Sequence, residues 1–358
     1  MRGRLVKFLL YSFALPVGMG CLVLACNQLT SGEEANEKRG NEKHIVRNQK
    51  PTPKFSIPDR IPGRDYVYFM AIGDQGMGDS SQKHVAFLMN EKARKDSLNF
   101  VITLGDNFYN KGVTSTSDPQ WLEKFEAMYA LPHLDVHFYP SLGNHDHYKG
   151  NSRYQVEYHK TNDKWRMQDR YYTFSKKIGA HSSIQFFALD TYSIVIKKNG
   201  RYDADQIQWL ERELAASTAT WKIVYGHHPV FSYGKHGNEK RMINRVRPLL
   251  EKYQVALYIS GHDHDRQFLE PVGGVHYIVS GTGSKSRHTR YGETTIFAAT
   301  NLGFVWFRVS GDDFHAQSID GDGEIEFAHT WNKGVVTKRH YKAFARVGRF
   351  SNFLADIF

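Results

Sequence analysis

The sequence predicts a four-layer α/β/β/α sandwich, two mixed β-sheets flanked by helices. Three observations carry the prediction. Between residues 66 and 260, short apolar runs alternate with amphipathic stretches whose apolar residues recur every three or four positions, the pattern of parallel strands joined by helices. After Gly261 the runs follow one another directly, which suits antiparallel meanders. Five of the runs end in a glycine followed by Asp, Asn or His, so polar residues collect where strands stop. Ligands of open α/β sheets bind beyond the carboxyl ends of strands, and the fold class therefore points to one convergent site.

Taken in order, residues 1–26 carry Arg2, Arg4 and Lys7, then an apolar stretch, then Cys26. This is the pattern of an export signal. Leu22-Val23-Leu24-Ala25-Cys26 resembles a bacterial lipobox, which would lipidate Cys26 and hold the protein to a membrane in the periplasm or at the cell surface. The alternative is an uncleaved anchor, interrupted by Pro16, Gly18 and Gly20. Residues 27–64 are rich in Asn, Glu, Lys, Pro and Gly and read as a flexible tether. The body spans 65–332. Helices are expected over 84–95, 119–130, 204–217 and 239–253. Strands are expected over 66–72, 100–104, 137–142, 184–189, 221–225 and 255–260, then over 267–270, 275–279, 303–309, 314–319 and 324–327. The basic and aromatic stretch 333–358 reads as a terminal helix packing its aromatic side on the body, with a membrane-surface helix as the alternative.

The formal net charge of +10 belongs to the ends. Residues 1–64 hold 11 Lys and Arg against 5 Asp and Glu, and residues 333–358 hold 6 against 1, so the part between is nearly neutral. No nucleic-acid partner is expected of it. Cys21 and Cys26 are the only cysteines, which leaves the body without a disulfide framework or thiolate metal site.

The five turns are Gly73-Asp74, Gly105-Asp106, Gly143-Asn144, Gly226-His227 and Gly261-His262, extended by Tyr109 and His264. One such turn is ordinary, since Gly-Asp is common turn chemistry. Five with only Asp, Asn and His are not. Asp74, Asp106, Tyr109, Asn144, His227, His262 and His264 suit first-row cations, and seven donors suit two ions rather than one. Asp106 is the expected bridge between them. Two such ions would clamp the attacking and leaving oxygens of a phosphoryl displacement. Tyr109 is the informative member, because a phenol of ordinary pKa about 10 binds as phenolate only to a strongly Lewis-acidic ion, best ferric iron.

Gly73-Asp74-Gln75-Gly76, Gly105-Asp106-Asn107-Phe108-Tyr109, Gly143-Asn144-His145-Asp146-His147, Gly226-His227-His228-Pro229 and Gly261-His262-Asp263-His264 resemble the five motifs of the purple acid phosphatases, within the calcineurin-like metallophosphoesterases. The resemblance is closest to the small tartrate-resistant type. It implies that Asp74, Asp106, Tyr109 and His264 hold Fe(III), and that Asp106, Asn144, His227 and His262 hold a second ion, Fe(II), Zn or Mn. It implies acid phosphatase activity on phosphate monoesters, by in-line attack of a metal-bound hydroxide, with phosphorylated small molecules or phosphoproteins as substrates. His145 and His236 would face substrate and help protonate the leaving group, with Asp146 orienting His145. His228 stands where the animal enzymes usually carry tyrosine.

Plainer roles compete for the remaining residues. His147 is as well explained by its loop, Asp190 by a structural cap, and Gly281-Thr282-Gly283 by a tight turn. The loops over 110–118, 149–170 and 284–293 shape access to the site. If Tyr109 only packs, a phosphodiesterase or nucleotidase with other metals remains on the same fold. A surface-anchored binding protein without catalysis is the third reading.

Overall fold

The computed structural model describes residues 58–196 and 203–333. The signal over 1–26 with Cys26, most of the tether and the tail beyond 333 lie outside the described residues. One sheet has six strands: β1 (Val67–Ile72), β2 (Phe100–Leu104), β3 (His137–Ser141), β11 (Phe304–Val309), β12 (Asp313–Ile319) and β13 (Ile325–Asn332), ordered β13-β12-β11-β1-β2-β3. The other has seven: β4 (Tyr172–Ile178), β5 (Ser182–Ala188), β6 (Trp221–Tyr225), β7 (Leu257–Ser260), β8 (Arg266–Val272), β9 (Val275–Ser280) and β10 (Thr295–Ala299), ordered β10-β8-β9-β7-β6-β5-β4. β1, β2 and β3 pair in parallel, as do β5, β6, β7 and β9, while the other pairs are antiparallel. Both sheets are therefore mixed, and helices flank them.

The helices are α1 (Ser80–Asp96), α2 (Ser152–Tyr158), α3 (Thr191–Val195), α4 (Ala204–Ala216), α5 (Lys240–Arg245) and α6 (Arg247–Lys252). Asp79 caps α1 and Asp203 caps α4, each accepting at 3.0 Å from the backbone N–H three residues on. The helix expected over 239–253 is two helices. Pro248 opens the second, since its ring and missing N–H bar it from a helix interior. The stretch expected as a helix over 119–130 forms only one wide turn, Leu122–Glu126. β4 and β10 escape the sequence reading. They are the two edges of the seven-stranded sheet; in β4 the polar residues Lys176 and Lys177 dilute the apolar alternation, and β10 is a run of only five residues.

Aromatic rings fill the space between the sheets. Phe69 of β1 stacks on Phe307 at 4.4 Å and meets Phe186 of β5 edge-on at 5.2 Å. A second buried cluster packs Leu210, Leu214, Met242 and Leu250 of α4 to α6 with Val224 and Tyr258 of the seven-stranded sheet. Residues ahead of 65 also pack on the body. Arg308 donates to the Pro58 carbonyl at 2.7 Å, Arg60 to that of Asp96 at 2.6 Å, and Arg64 pairs with Asp312 and Asp313.

Candidate metal centre and active site

Parallel pairing of β1, β2 and β3 lines up the turns that carry Asp74, Asp106 and Asn144, and β6 beside β7 does the same for His227 and His262. The two edges are tied across the sheets. Gly73 N–H donates to the Ser280 carbonyl at 2.8 Å, and His227 Nδ1 lies 2.9 Å from the Leu104 carbonyl. The glycines are there for proximity. A Cβ on Gly143 would stand 2.1 Å from Asp106 Oδ1, and one on Gly261 would stand 2.5 Å from Asp74 Oδ2. Asp74, Asp106 and His262 hold left-handed φ of 57°, 52° and 69°, a conformation that side chains adopt at a cost and that clusters at functional sites.

All seven expected donors converge, in two groups. Tyr109 Oη lies 2.9 Å from Asp74 Oδ1 and 3.2 Å from His264 Nε2, and His264 Nε2 lies 3.3 Å from Asp74 Oδ1. His227 Nε2 lies 3.0 Å from both Asn144 Oδ1 and His262 Nδ1. Asp106 stands between: its Oδ2 is 3.7 Å from His227 Nε2, and Asp74, Asp106 and His227 bring ligand atoms within 4.8 Å of one another. Ligands about 2.1 Å from one ion and at right angles stand about 3 Å apart, which is the spacing within each group.

The chemistry of these donors fits cations. Donation from Nδ1 to Leu104 leaves His227 Nε2 a bare lone pair, aimed at Asn144 and Asp106 oxygens that are acceptors too. Burial, reinforced by Asp106, pushes the Asp74 carboxyl up to about 7 and raises the Tyr109 phenol further above its ordinary value. Burial lowers His264 to about 4 and His262 more strongly. Acids held neutral beside imidazoles held neutral make a site that positive charge would stabilise.

Around this centre the structure separates the other candidates. His145 keeps its ring 4.6 Å from that of Tyr109, with Nδ1 donating to the Asn110 carbonyl at 2.7 Å. His236 is exposed, its ring 4.1 Å from that of His262. Asp146 does not orient His145. Its buried carboxylate accepts from the backbone of Gly143 at 2.8 Å, Asn107 at 3.1 Å and Phe108 at 3.2 Å, and from Gln155, so it locks the β2 and β3 turns together. Asp190 makes no side-chain cap. It is buried between His147 at 2.8 Å and Arg170 at 2.7 Å; burial alone would raise its carboxyl, but those two partners more than offset it. His228 is held well below its ordinary value by burial, with Nδ1 on Thr191 Oγ1 at 2.9 Å. That threonine, which the sequence reading passed over, also accepts from the backbone of His227 at 3.2 Å and His228 at 2.9 Å. Its only sequence signal is its place after a strand-end carboxylate.

Residues 68–266 match the model of the calcineurin-like phosphoesterase family. The human tartrate-resistant acid phosphatase type 5 is 31% identical over 293 residues, 72% of this chain and 89% of its own. The chain is a calcineurin-like phosphoesterase of the purple acid phosphatase family. Purple acid phosphatase 7 of Arabidopsis thaliana is 33% identical over 70% of this chain and 85% of its own. Among solved structures, GAP50, the anchor in the inner membrane complex of Plasmodium, has a TM-score of 0.69 at 24% identity, covering 75% of this chain and 89% of that one. The yellow lupin purple acid phosphatase has 0.59 at 16%, covering 75% and 54%. These two likenesses are of fold. As a family member the chain is a metal-dependent phosphoesterase, and its fold is the metallophosphoesterase sandwich.

Proposed function

We propose that this chain is a dinuclear-metal acid phosphatase that hydrolyses phosphate monoesters. The convergence of the Tyr109 phenol with Asp74 and His264 carries the proposal, because a phenol donor calls for a ferric partner. Asp74, Tyr109 and His264 with Asp106 would hold Fe(III), and Asn144, His227 and His262 with Asp106 a second ion, Fe(II), Zn or Mn. Bound there, the pair supplies Lewis acidity toward phosphoryl oxygens and toward water. The chain's own groups do the rest. His145 carries a proton on Nε2 to the leaving oxygen while the Asn110 carbonyl holds its Nδ1–H, and exposed His236 offers a second imidazole to the substrate. Asp146 and Thr191 keep the turns that present the donors in place.

Tyr109→Phe tests the ferric assignment. The iron-loaded protein is expected to absorb in the visible through a phenolate-to-iron transition, and the variant to lose that band. A colourless iron-loaded wild type, or a band that survives the substitution, sinks the assignment and favours the phosphodiesterase reading, which rates on mono- and diesters then measure. His145→Ala is expected to slow alkyl phosphates roughly 10²-fold or more, and p-nitrophenyl phosphate much less, since a good leaving group needs no proton. Export and lipid attachment through Cys26 complete the proposal; Cys26→Ser is expected to move the protein from the membrane fraction to the soluble one.

A further inference from the structure

The loop over 284–293 is pinned at three points. Ser284 Oγ donates to the Asp74 carbonyl at 2.7 Å, the Arg287 N–H to the His264 carbonyl at 2.7 Å, and the Arg290 N–H to the Tyr233 carbonyl at 3.1 Å. It thus leads from the metal centre into a cavity of about 520 Å³ lined by Tyr233, Lys235, Arg287, His288 and Arg290. Arg287 joins this cavity to the reacting centre, its Nη1 lying 3.3 Å from His236 Nε2. On the same loop, outside the cavity lining, the Lys285 ammonium lies 3.9 Å over the Tyr109 ring. No carboxylate is among the lining residues. Asp263 and Asp265 are buried beside Gly234, and Asp263 is taken up by Ser232 and the His236 backbone.

The reacting phosphoryl group is already served by the seven donors, His145 and His236. The cations beyond them face whatever else the substrate carries. Two guanidinium forks and an ammonium match the oxygens of a phosphate, and the pinned loop fixes where they stand. We propose that this cavity is a second anion subsite that takes a non-reacting phosphoryl group, so that small substrates with two or more phosphates are preferred over simple monoesters; this rests on the phosphatase reading above.

The experiment compares kcat/KM for two matched pairs, adenosine 5′-diphosphate against the monophosphate and fructose 1,6-bisphosphate against fructose 6-phosphate, in the metal-loaded wild type and in a Lys235→Gln, Arg290→Gln double variant. Both positions are exposed, so the variant is expected to fold. The wild type is expected to prefer the doubly phosphorylated member of at least one pair. That preference should fall roughly tenfold in the variant, through KM, as for two screened charge-assisted contacts. The arm that responds tells whether the second phosphate is adjacent or spaced. A general disturbance would slow both members of a pair alike and leave the ratio standing. No preference in either pair, or a preference the variant retains, overturns the subsite. If none of the four compounds is hydrolysed, the phosphatase reading has failed instead, and thermal shift then decides the subsite. Fructose 1,6-bisphosphate should raise the wild-type melting temperature more than the variant's, and equal shifts overturn it.

Discussion

Thr191 shows how much of a metal site rests on a residue that would touch no ion. Its buried hydroxyl accepts from two consecutive amides, those of His227 and His228, and bonds the His228 ring. Thr191→Val keeps the shape and removes the acceptor. Leaving buried N–H groups unpaired costs about 1–3 kcal/mol, so we expect a lower melting temperature together with a reduced kcat, because His227 is no longer held in place. An unchanged kcat in a folded variant would separate Thr191 from the site. Gly143 is the complementary case. A methyl there would overlap both the carboxylate and the backbone nitrogen of Asp106, 2.1 and 2.2 Å away, so Gly143→Ala is expected to displace the bridging donor and abolish retention of the second metal. Metal content after gel filtration measures this, and full metal content would refute it. The glycine and the ligand type were legible in the sequence because the turn demands both. Thr191 and the locking role of Asp146 were not, because a hydrogen bond between distant turns leaves no local pattern.

At the scale of elements, legibility followed burial. Strands at the centre of a sheet, such as β1 and β2, are apolar on both faces and were read nearly to the residue, while the edge strands β4 and β10 were missed. The strands β11 to β13 were read as apolar meanders, yet they conceal a polar chain. Lys92 Nζ donates to Gln317 Oε1 at 2.6 Å, Gln317 donates to His315 Nε2 at 2.9 Å, and His315 Nδ1 lies 2.7 Å from Thr330 Oγ1. Burial, aided by Arg308 and Lys92, lowers His315 to about 4. Its folded pKa is thus below the unfolded value of 6.5, so between the two the unfolded chain binds more protons. The contribution is complete above 6.5 and is lost as the pH falls through 4. Its size is at most about 3 kcal/mol. Urea midpoints should therefore drop between pH 7 and pH 4, and drop less in His315→Gln, which cannot titrate; parallel slopes would assign the loss to other groups.

Across the whole molecule, summed charge concealed what mattered. The body balances to near neutrality, which argues against a nucleic-acid cleft, but an average cannot show Lys285, Arg287, His288 and Arg290 gathered on one pinned loop. The same scale governs stability. The candidate donors come from both sheets, Asp74, Asp106 and Asn144 from one and His227 and His262 from the other, so ions bound there would bridge the two halves of the sandwich. Ions that bind only the folded chain stabilise it by about 4 kcal/mol when present at a thousand times their dissociation constant. For a domain of this size that is on the order of 10 °C in melting temperature. Loaded and chelator-treated protein should differ by that much in calorimetry. The gap should shrink in Asn144→Ala, which lacks one donor of the second group, and shrink again in His264→Ala, which lacks one of the first. Independent narrowing by both variants would mean two ions, one in each group. If Asn144→Ala alone closed the gap while His264→Ala left it intact, a single ion beside His227 would account for the site and the dinuclear proposal would fail.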